Sequence, residues 1–235
     1  DQVRAIRDGQ LHIAGLNTGA LPLAVCTAGF QPICMMADAD GNASYQMQII
    51  TRATSPVQKL QDIRGRELTF TDMSSNSGYK APIVILREEG LRPGQDYYPR
   101  YSQSHTRSIE GIKNGTFETV AIASDVLKRM VGSGEIAEKD FRVIFTSDQT
   151  FPPAGFGIAN NLKPELAEQI RQTMLGYAWA GTPMEKNFGS EGRSKFVPID
   201  YKKDWDYVRR IDDAIGYVYQ LSNAPATAPT TAPAP

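Results

Sequence analysis

Phe70-Thr71-Asp72-Met73-Ser74-Ser75-Asn76-Ser77-Gly78-Tyr79 reads as a strand that runs through a hydroxyl-rich turn straight into a helix. Such a turn gathers free backbone N–H groups, serine hydroxyls and the positive end of a helix dipole, about half an elementary charge, at one point in space. That is the outline of an anion site. A second copy follows at Ser102-Gln103-Ser104-His105-Thr106-Arg107-Ser108, again after a strand-like run and before a helix-like one. Two such helix ends converging would grip a tetrahedral oxyanion. Taken singly, Ser75, Ser77, Ser104 and Thr106 serve equally well as caps of two ordinary helices.

The rest of the chain alternates helix and strand signals, which predicts an α/β architecture with largely parallel sheets. Strand-like runs are expected at 11–16, 32–37, 45–52, 67–71, 97–101, 119–123, 141–146 and 155–159. Asp38-Ala39-Asp40-Gly41-Asn42 is a turn-rich link, either a hairpin or an excursion toward a cleft. A short helix is expected from Ser55-Pro56 to Gly65, and a longer one over 79–89, where Pro82 is tolerated because it falls in the first turn. Ser124-Asp125 reads as the cap of the helix after the 119–123 strand. The chain is expected to change lobe at Phe151-Pro152-Pro153. Beyond it, Leu166, Ile170, Met174 and Tyr177 recur at helical spacing, as do Trp205, Val208, Ile211, Ile215 and Val218 or Tyr219 within a helix expected over 203–221. From Asn223 onward alanine, proline and threonine predict an unfolded, semi-extended tail.

Composition removes several classes of function. The 235 residues hold 25 Lys plus Arg against 26 Asp plus Glu, so no basic field exists to capture nucleic acid. No run approaches the roughly 18 apolar residues of a membrane helix, and no signal pattern opens the chain. The histidines are His12 and His105 and the cysteines Cys26 and Cys34, none within a metal-ligand pattern, so neither metal nor cofactor is expected. A disulfide between the cysteines is geometrically conceivable; two inert thiols are the alternative.

Six segments stand out for their order and spacing: residues 3–14, Leu60-Gln61-Asp62-Ile63-Arg64-Gly65-Arg66, Ser75-Asn76-Ser77-Gly78-Tyr79 with Pro82, Ser104-His105-Thr106-Arg107-Ser108-Ile109, Asn114-Gly115 and Pro164-Glu165-Leu166. Together they resemble the periplasmic substrate-binding proteins of phosphonate, phosphite and phosphate ABC importers, the phosphonate-binding branch of the type II periplasmic binding fold. The resemblance covers about residues 1–220. It implies two α/β lobes joined by two crossover strands, with residues 1–70 and 155–222 in the first lobe, 71–154 in the second and 223–235 as the tail. A small phosphorus anion would lie in the cleft, held by Ser75, Asn76, Ser77, His105 and the hydroxyl of Tyr45, with Thr18 contributing from its own loop. Neutral donors that are already oriented bind a dianion well, because hydrogen bonds to an ionised group are the strong ones.

Other implications carry alternatives. Asp125 matches the place where binders of aminoalkylphosphonates put a carboxylate against the ligand's ammonium; it equally fits a first-turn acid favoured by the helix dipole. The second carboxylate of such binders has no counterpart, since Pro152-Pro153-Ala154-Gly155 fills that stretch, which leaves phosphate, phosphite or a simple alkylphosphonate open. Asn17-Thr18-Gly19 stands in place of a glycine-rich loop ending in an aromatic residue, and Leu21 falls near that aromatic. The family's opening strand-helix-strand unit is missing, so either the natural protein is longer or the first lobe is incomplete. The implied role is a monomeric periplasmic or extracytoplasmic binding protein, anchored if at all through a segment outside this chain, that serves an ABC permease and catalyses nothing. A sensing module for a signalling partner has the same cleft, and a Ser75-His105 nucleophile pair would need an orienting acid.

Overall fold

A computed structural model describes residues 2–221, so the tail expected at 223–235 lies outside the described residues. Nine strands form two sheets: β1 (Ile13–Leu16), β2 (Phe30–Ala37), β3 (Tyr45–Arg52), β4 (Glu67–Phe70), β5 (Tyr98–Tyr101), β6 (Thr119–Ala123), β7 (Phe141–Phe151), β8 (Gly155–Ala159) and β9 (Lys195–Pro198). The first sheet has the order β1-β8-β2-β9 and the second β5-β4-β6-β3-β7. The α-helices are α1 (Gln2–Arg7), α2 (Leu21–Ala28), α3 (Ala81–Glu88), α4 (His105–Asn114), α5 (Ser124–Gly132), α6 (Pro164–Leu175), α7 (Pro183–Phe188), α8 (Tyr201–Asp204) and α9 (Asp206–Ala214).

The largely parallel sheets expected from the alternation are not what forms. Among the named strands, β4 pairs in parallel with β5 and β6, and every other pairing is antiparallel. Alternation implies parallel strands only when each helix crosses back over the same sheet. Here the chain leaves the first sheet after β2 and re-enters it at β8 from the opposite direction.

That path also moves the expected lobe boundary. Tyr45–Arg52 and Glu67–Phe70, expected in the first lobe, belong to the second sheet, so the first crossing is the turn-rich link at 38–44 and not residue 70. The return crossing is the proline-rich stretch 152–154. The two crossings lie side by side because β3 and β7 are paired, with Tyr45 opposite Phe151.

Strand alternation fixes which core each residue joins. On β3, Ile49 packs into the main core with Leu68, Phe70 and Leu86, while Ile50 faces Ile109, Ile112, Val120 and Ile122 under α4 and α5. Both isoleucines are fully buried, a contribution of about 1.5–3 kcal/mol each. A third, smaller core of Ile33, Cys34 and Ile158 takes Ile170 and Met174 from α6.

The long terminal helix expected over 203–221 is broken at Trp205 and stops at Ala214, two residues before Gly216 at φ 68°. Its apolar stripe holds only in part: Trp205, Val208 and Ile211 are buried, but Val218 is 65% exposed. The short helix expected before Gly65 narrows to a 3-10 turn, Leu60–Ile63. Cys26 and Cys34 are both free, the first exposed and the second buried. Burial pushes the Cys34 thiol up to about 12.

Candidate functional site

The helix predicted to begin near Tyr79 starts earlier, as a π-helical turn over Asn76–Lys80 that runs into α3. The wide turn follows from Gly78, whose Cβ, if present, would lie 2.0 Å from Thr71 Oγ1. With no side chain there, the turn folds onto the end of β4, and Thr71 N–H donates to the Gly78 carbonyl at 3.0 Å. Pro82 is the second residue of α3 and has no N–H to offer the Gly78 carbonyl four residues back, which accepts from Thr71 instead. Turns of this kind recur at functional sites because they push side chains out of the regular helical spiral.

Ser75 caps this turn: its Oγ accepts from Gly78 N–H at 3.1 Å. The same oxygen lies 3.3 Å from His105 Nε2. His105 opens α4, and its Nδ1 accepts the backbone N–H of Ala123 at 3.2 Å. That bond assigns the proton of the neutral ring to Nε2, which then donates to Ser75 Oγ. Burial lowers the His105 pKa to about 4, so the ring is neutral at physiological pH. Both lone pairs of Ser75 Oγ are occupied by donors, and its own proton is left for an acceptor outside the turn.

Across from this pair, the Tyr45 hydroxyl at the start of β3 accepts from Asn76 Nδ2 at 3.3 Å and is ringed by the hydroxyls of Thr18 and Ser77. Burial raises the phenol pKa, so Tyr45 keeps its proton. The Thr18 hydroxyl donates to the Pro152 carbonyl at 2.7 Å, and the Thr18 carbonyl accepts from Trp205 Nε1 at 2.9 Å. The loop carrying Thr18 is thereby pinned to the return crossing and to the end of α8.

These groups enclose one cavity of about 160 Å³. Thr18, Tyr45, Ser75, Asn76, Ser77, His105 and Asp125, all seven residues singled out from the sequence, line it. The lining also includes Asn17, Ala123, Val126, Pro153 and Ala154. Pro153 and Ala154 lie in the stretch that the resemblance sets where amine binders carry their second carboxylate, and Asn17 in the loop that replaces the glycine-rich one; Ala123 and Val126 carry no such signal. Ser104 takes the bland part: its Oγ caps α4 through Arg107 N–H at 3.2 Å. Ser124 does not cap α5 as expected, because its Oγ instead accepts Gln46 N–H from β3 at 3.0 Å.

Asp125 stands at the edge. Its Oδ1 accepts the N–H of Val126 at 2.9 Å, and burial raises its pKa against the opposing pull of that bond and of Arg193. It also lines a second cavity of about 350 Å³, together with Asp38, Lys128, Glu191 and Arg193. No group of His, Cys, Asp and Glu able to hold a metal occurs among the described residues. The chemistry available is therefore donation of neutral hydrogen bonds to an anion, with the apolar groups of Ala123, Val126, Pro153 and Ala154 in the same lining.

The "Phosphate-import protein PhnD" of Mycolicibacterium smegmatis is 27% identical over 201 residues, 77% of this chain and 61% of that protein. The "Phosphonates-binding periplasmic protein" of Escherichia coli is 22% identical over 188 residues, 78% of this chain and 55% of that protein. The chain thus spans between 55% and 61% of the length of these two relatives. Among solved structures, a Prochlorococcus marinus protein in complex with methylphosphonate superposes with a TM-score of 0.77 at 12% identity, covering 92% of this chain and 82% of that one. A binding component of an ABC phosphonate transporter from Pseudomonas aeruginosa gives 0.76 at 19% identity, covering 94% and 76%. At these identities the two structures establish a shared fold. A family model described as the periplasmic substrate-binding protein of phosphonate ABC transporters matches residues 1–205, and the chain belongs to that family.

Proposed function

We propose that this chain captures a small phosphorus oxyanion, foremost a simple alkylphosphonate, and delivers it to an ABC permease from the periplasmic side of the membrane. The observation that carries the reading is a cavity of mixed lining, with polar groups from Ser75, Asn76, Ser77, His105, Tyr45, Thr18, Asn17 and Asp125 and apolar groups from Ala123, Val126, Pro153 and Ala154. The oxygens of a phosphonate match the donors of the first set and a short alkyl group the second. Phosphate, which the mycobacterial relative's name specifies, would place a polar oxygen against those apolar groups. Its desolvation there is a cost that a methyl group avoids.

An enzyme is disfavoured by the orientation of His105. Its Nδ1 accepts from a backbone N–H and no carboxylate stands behind it, so Nε2 carries the proton and cannot take one from Ser75.

Thermal unfolding of ligand-free protein with methylphosphonate, phosphite, phosphate and 2-aminoethylphosphonate tests the proposal. A ligand at about 1,000 times its Kd adds about 4 kcal/mol to stability. Methylphosphonate is expected to raise the melting temperature most. No shift with any of the four would overturn the reading.

A further inference from the structure

Beneath the anion turn, Lys80 and Asp212 are both fully buried, with Nζ 2.8 Å from Asp212 Oδ1. The same ammonium donates to the Gly19 carbonyl at 2.8 Å and lies 3.8 Å from the centre of the Tyr217 ring. The other carboxylate oxygen of Asp212 accepts from the Tyr219 hydroxyl at 2.9 Å. One cation therefore joins three segments distant in sequence: the π-helical turn, the Thr18 loop and the end of the protein's last described helix.

A buried ion pair is a poor way to gain stability, because stripping water from two charges costs several kcal/mol and an apolar pair would pack there at less expense. What the pair does supply is direction. Gly19 lies flat on the anion turn, where a Cβ would come within 2.3 Å of the Ser74 carbonyl oxygen and 2.8 Å of Asn76 N. Thr18 is otherwise held by Pro152, Trp205 and the Tyr45 hydroxyl, none of which belongs to the turn. Among the described residues, the side-chain hydrogen bonds from turn to loop are the buried one from Lys80 and a 3.5 Å contact between Asn17 Nδ2 and Ser74 Oγ on the exposed rim. Lys80 does not itself line the cavity.

We propose that Lys80 is a positioning residue for ligand binding: its ammonium, held in place by Asp212, docks the Thr18 loop onto the Ser75 turn and so sets the two facing walls of the cavity. The inference rests on the reading of that cavity as the ligand site. Asp212 orients the ammonium, Gly19 receives it, and the ligand meets walls already at the right separation.

Lys80→Met alone would strand a buried carboxylate and unfold the protein for a trivial reason. The neutral double variant Lys80→Met with Asp212→Asn removes both charges and leaves Tyr219 an acceptor. It is expected to melt close to the parent, yet exchange the amides of Ala20 and Leu21 at least about tenfold faster, because the loop that these amides close onto the Asn17 carbonyl has lost its tie. Its affinities for methylphosphonate and inorganic phosphate should fall by about tenfold or more, the loss expected of a charged hydrogen bond. A purely structural pair would move the melting temperature and leave the affinity of the folded protein alone. Unchanged exchange, or unchanged affinity with faster exchange, would overturn the proposal. If the double variant does not fold, Gly19→Ala keeps the ion pair and lifts the loop off the turn; it should weaken both probes similarly, and full affinity in that variant would equally overturn it. Should the parent bind neither probe, the ligand reading fails by itself, while the exchange measurement still decides whether Lys80 holds the loop.

Discussion

Ser75 Oγ and His105 Nε2 are 3.3 Å apart, and the ring's other nitrogen is occupied by the backbone N–H of Ala123. The contact links two segments that each looked like an ordinary capped helix. It converts them into one donor unit, in which His105 supports Ser75 and Ser75 presents its proton to the cavity. Under the proposed function this unit would hold an oxyanion with no lysine or arginine in the lining, and without the freedom that a long flexible cation would have to give up.

The neutral His105 makes stability depend on pH in a defined direction. Its folded pKa of about 4 lies below the ordinary 6.5, so the unfolded chain binds a proton that the fold rejects. The contribution is complete above pH 6.5 and is lost as pH falls from 6.5 toward 4, a change on the order of 3 kcal/mol at about 1.4 kcal/mol per unit. Asp125, whose pKa is raised, acts in the opposite sense, so the imidazole is isolated by comparison with His105→Asn. Urea unfolding at pH 7 and pH 4.5 should show a smaller acid loss in the variant. An identical loss would mean that His105 is not the group responsible.

Gly78 is required for a steric reason and not for a positive φ. A methyl group there would sit 2.0 Å from Thr71 Oγ1 and 2.8 Å from Ser75 Oγ. Gly78→Ala should therefore cost about 1–3 kcal/mol in stability, the usual range for overpacking, and should weaken ligand binding by disturbing the cap. Gly78→Ala combined with Thr71→Ala removes the nearest clashing atom and should recover part of the stability. Chemical denaturation measures both effects.

The two cysteines should behave as unlike thiols. Cys26 is exposed, whereas Cys34 is fully buried with its thiol pushed up to about 12. A colorimetric thiol reagent at pH 8 should modify one cysteine per native chain rapidly and the second only on unfolding. Two rapid equivalents, or none without reductant, would contradict the packing of β2 against α6 or the free state of the pair.

Asp125 discriminates between ligand classes. If the guest is a simple alkylphosphonate, the carboxylate is a nearby like charge, and Asp125→Asn should leave methylphosphonate affinity unchanged or raise it a few-fold by removing repulsion. If Asp125 meets an ammonium, the same substitution should cut 2-aminoethylphosphonate affinity by about tenfold or more. Calorimetric titration of both ligands into parent and variant separates the two.

Much of the site was legible in the sequence because it is built from local signals. A hydroxyl-rich turn between strand and helix declares itself within ten residues, and Ser75, Asn76, Ser77 and His105 all reach the cavity as read. What local signals cannot carry is sheet membership. The strands at Tyr45–Arg52 and Glu67–Phe70 were recognised as strands but assigned to the wrong side, since nothing in a strand's own residues tells which sheet it will join. The same limit hid the parallel-to-antiparallel difference and the part that Ala123 and Val126 take in the lining. Lys80 and Asp212 were invisible for a related reason: each looks like a surface residue of an amphipathic helix until the fold brings them to 2.8 Å.

The central claim, that oriented neutral donors in this cavity hold a phosphorus oxyanion, is tested most directly by isothermal titration of methylphosphonate into the ligand-free parent, Ser77→Ala and His105→Ala. One site per chain is expected in the parent, with each variant weakened by about 1.5–3 kcal/mol and still folded. Equal affinity in all three proteins, or no binding of methylphosphonate, phosphite or phosphate to the parent, would contradict it.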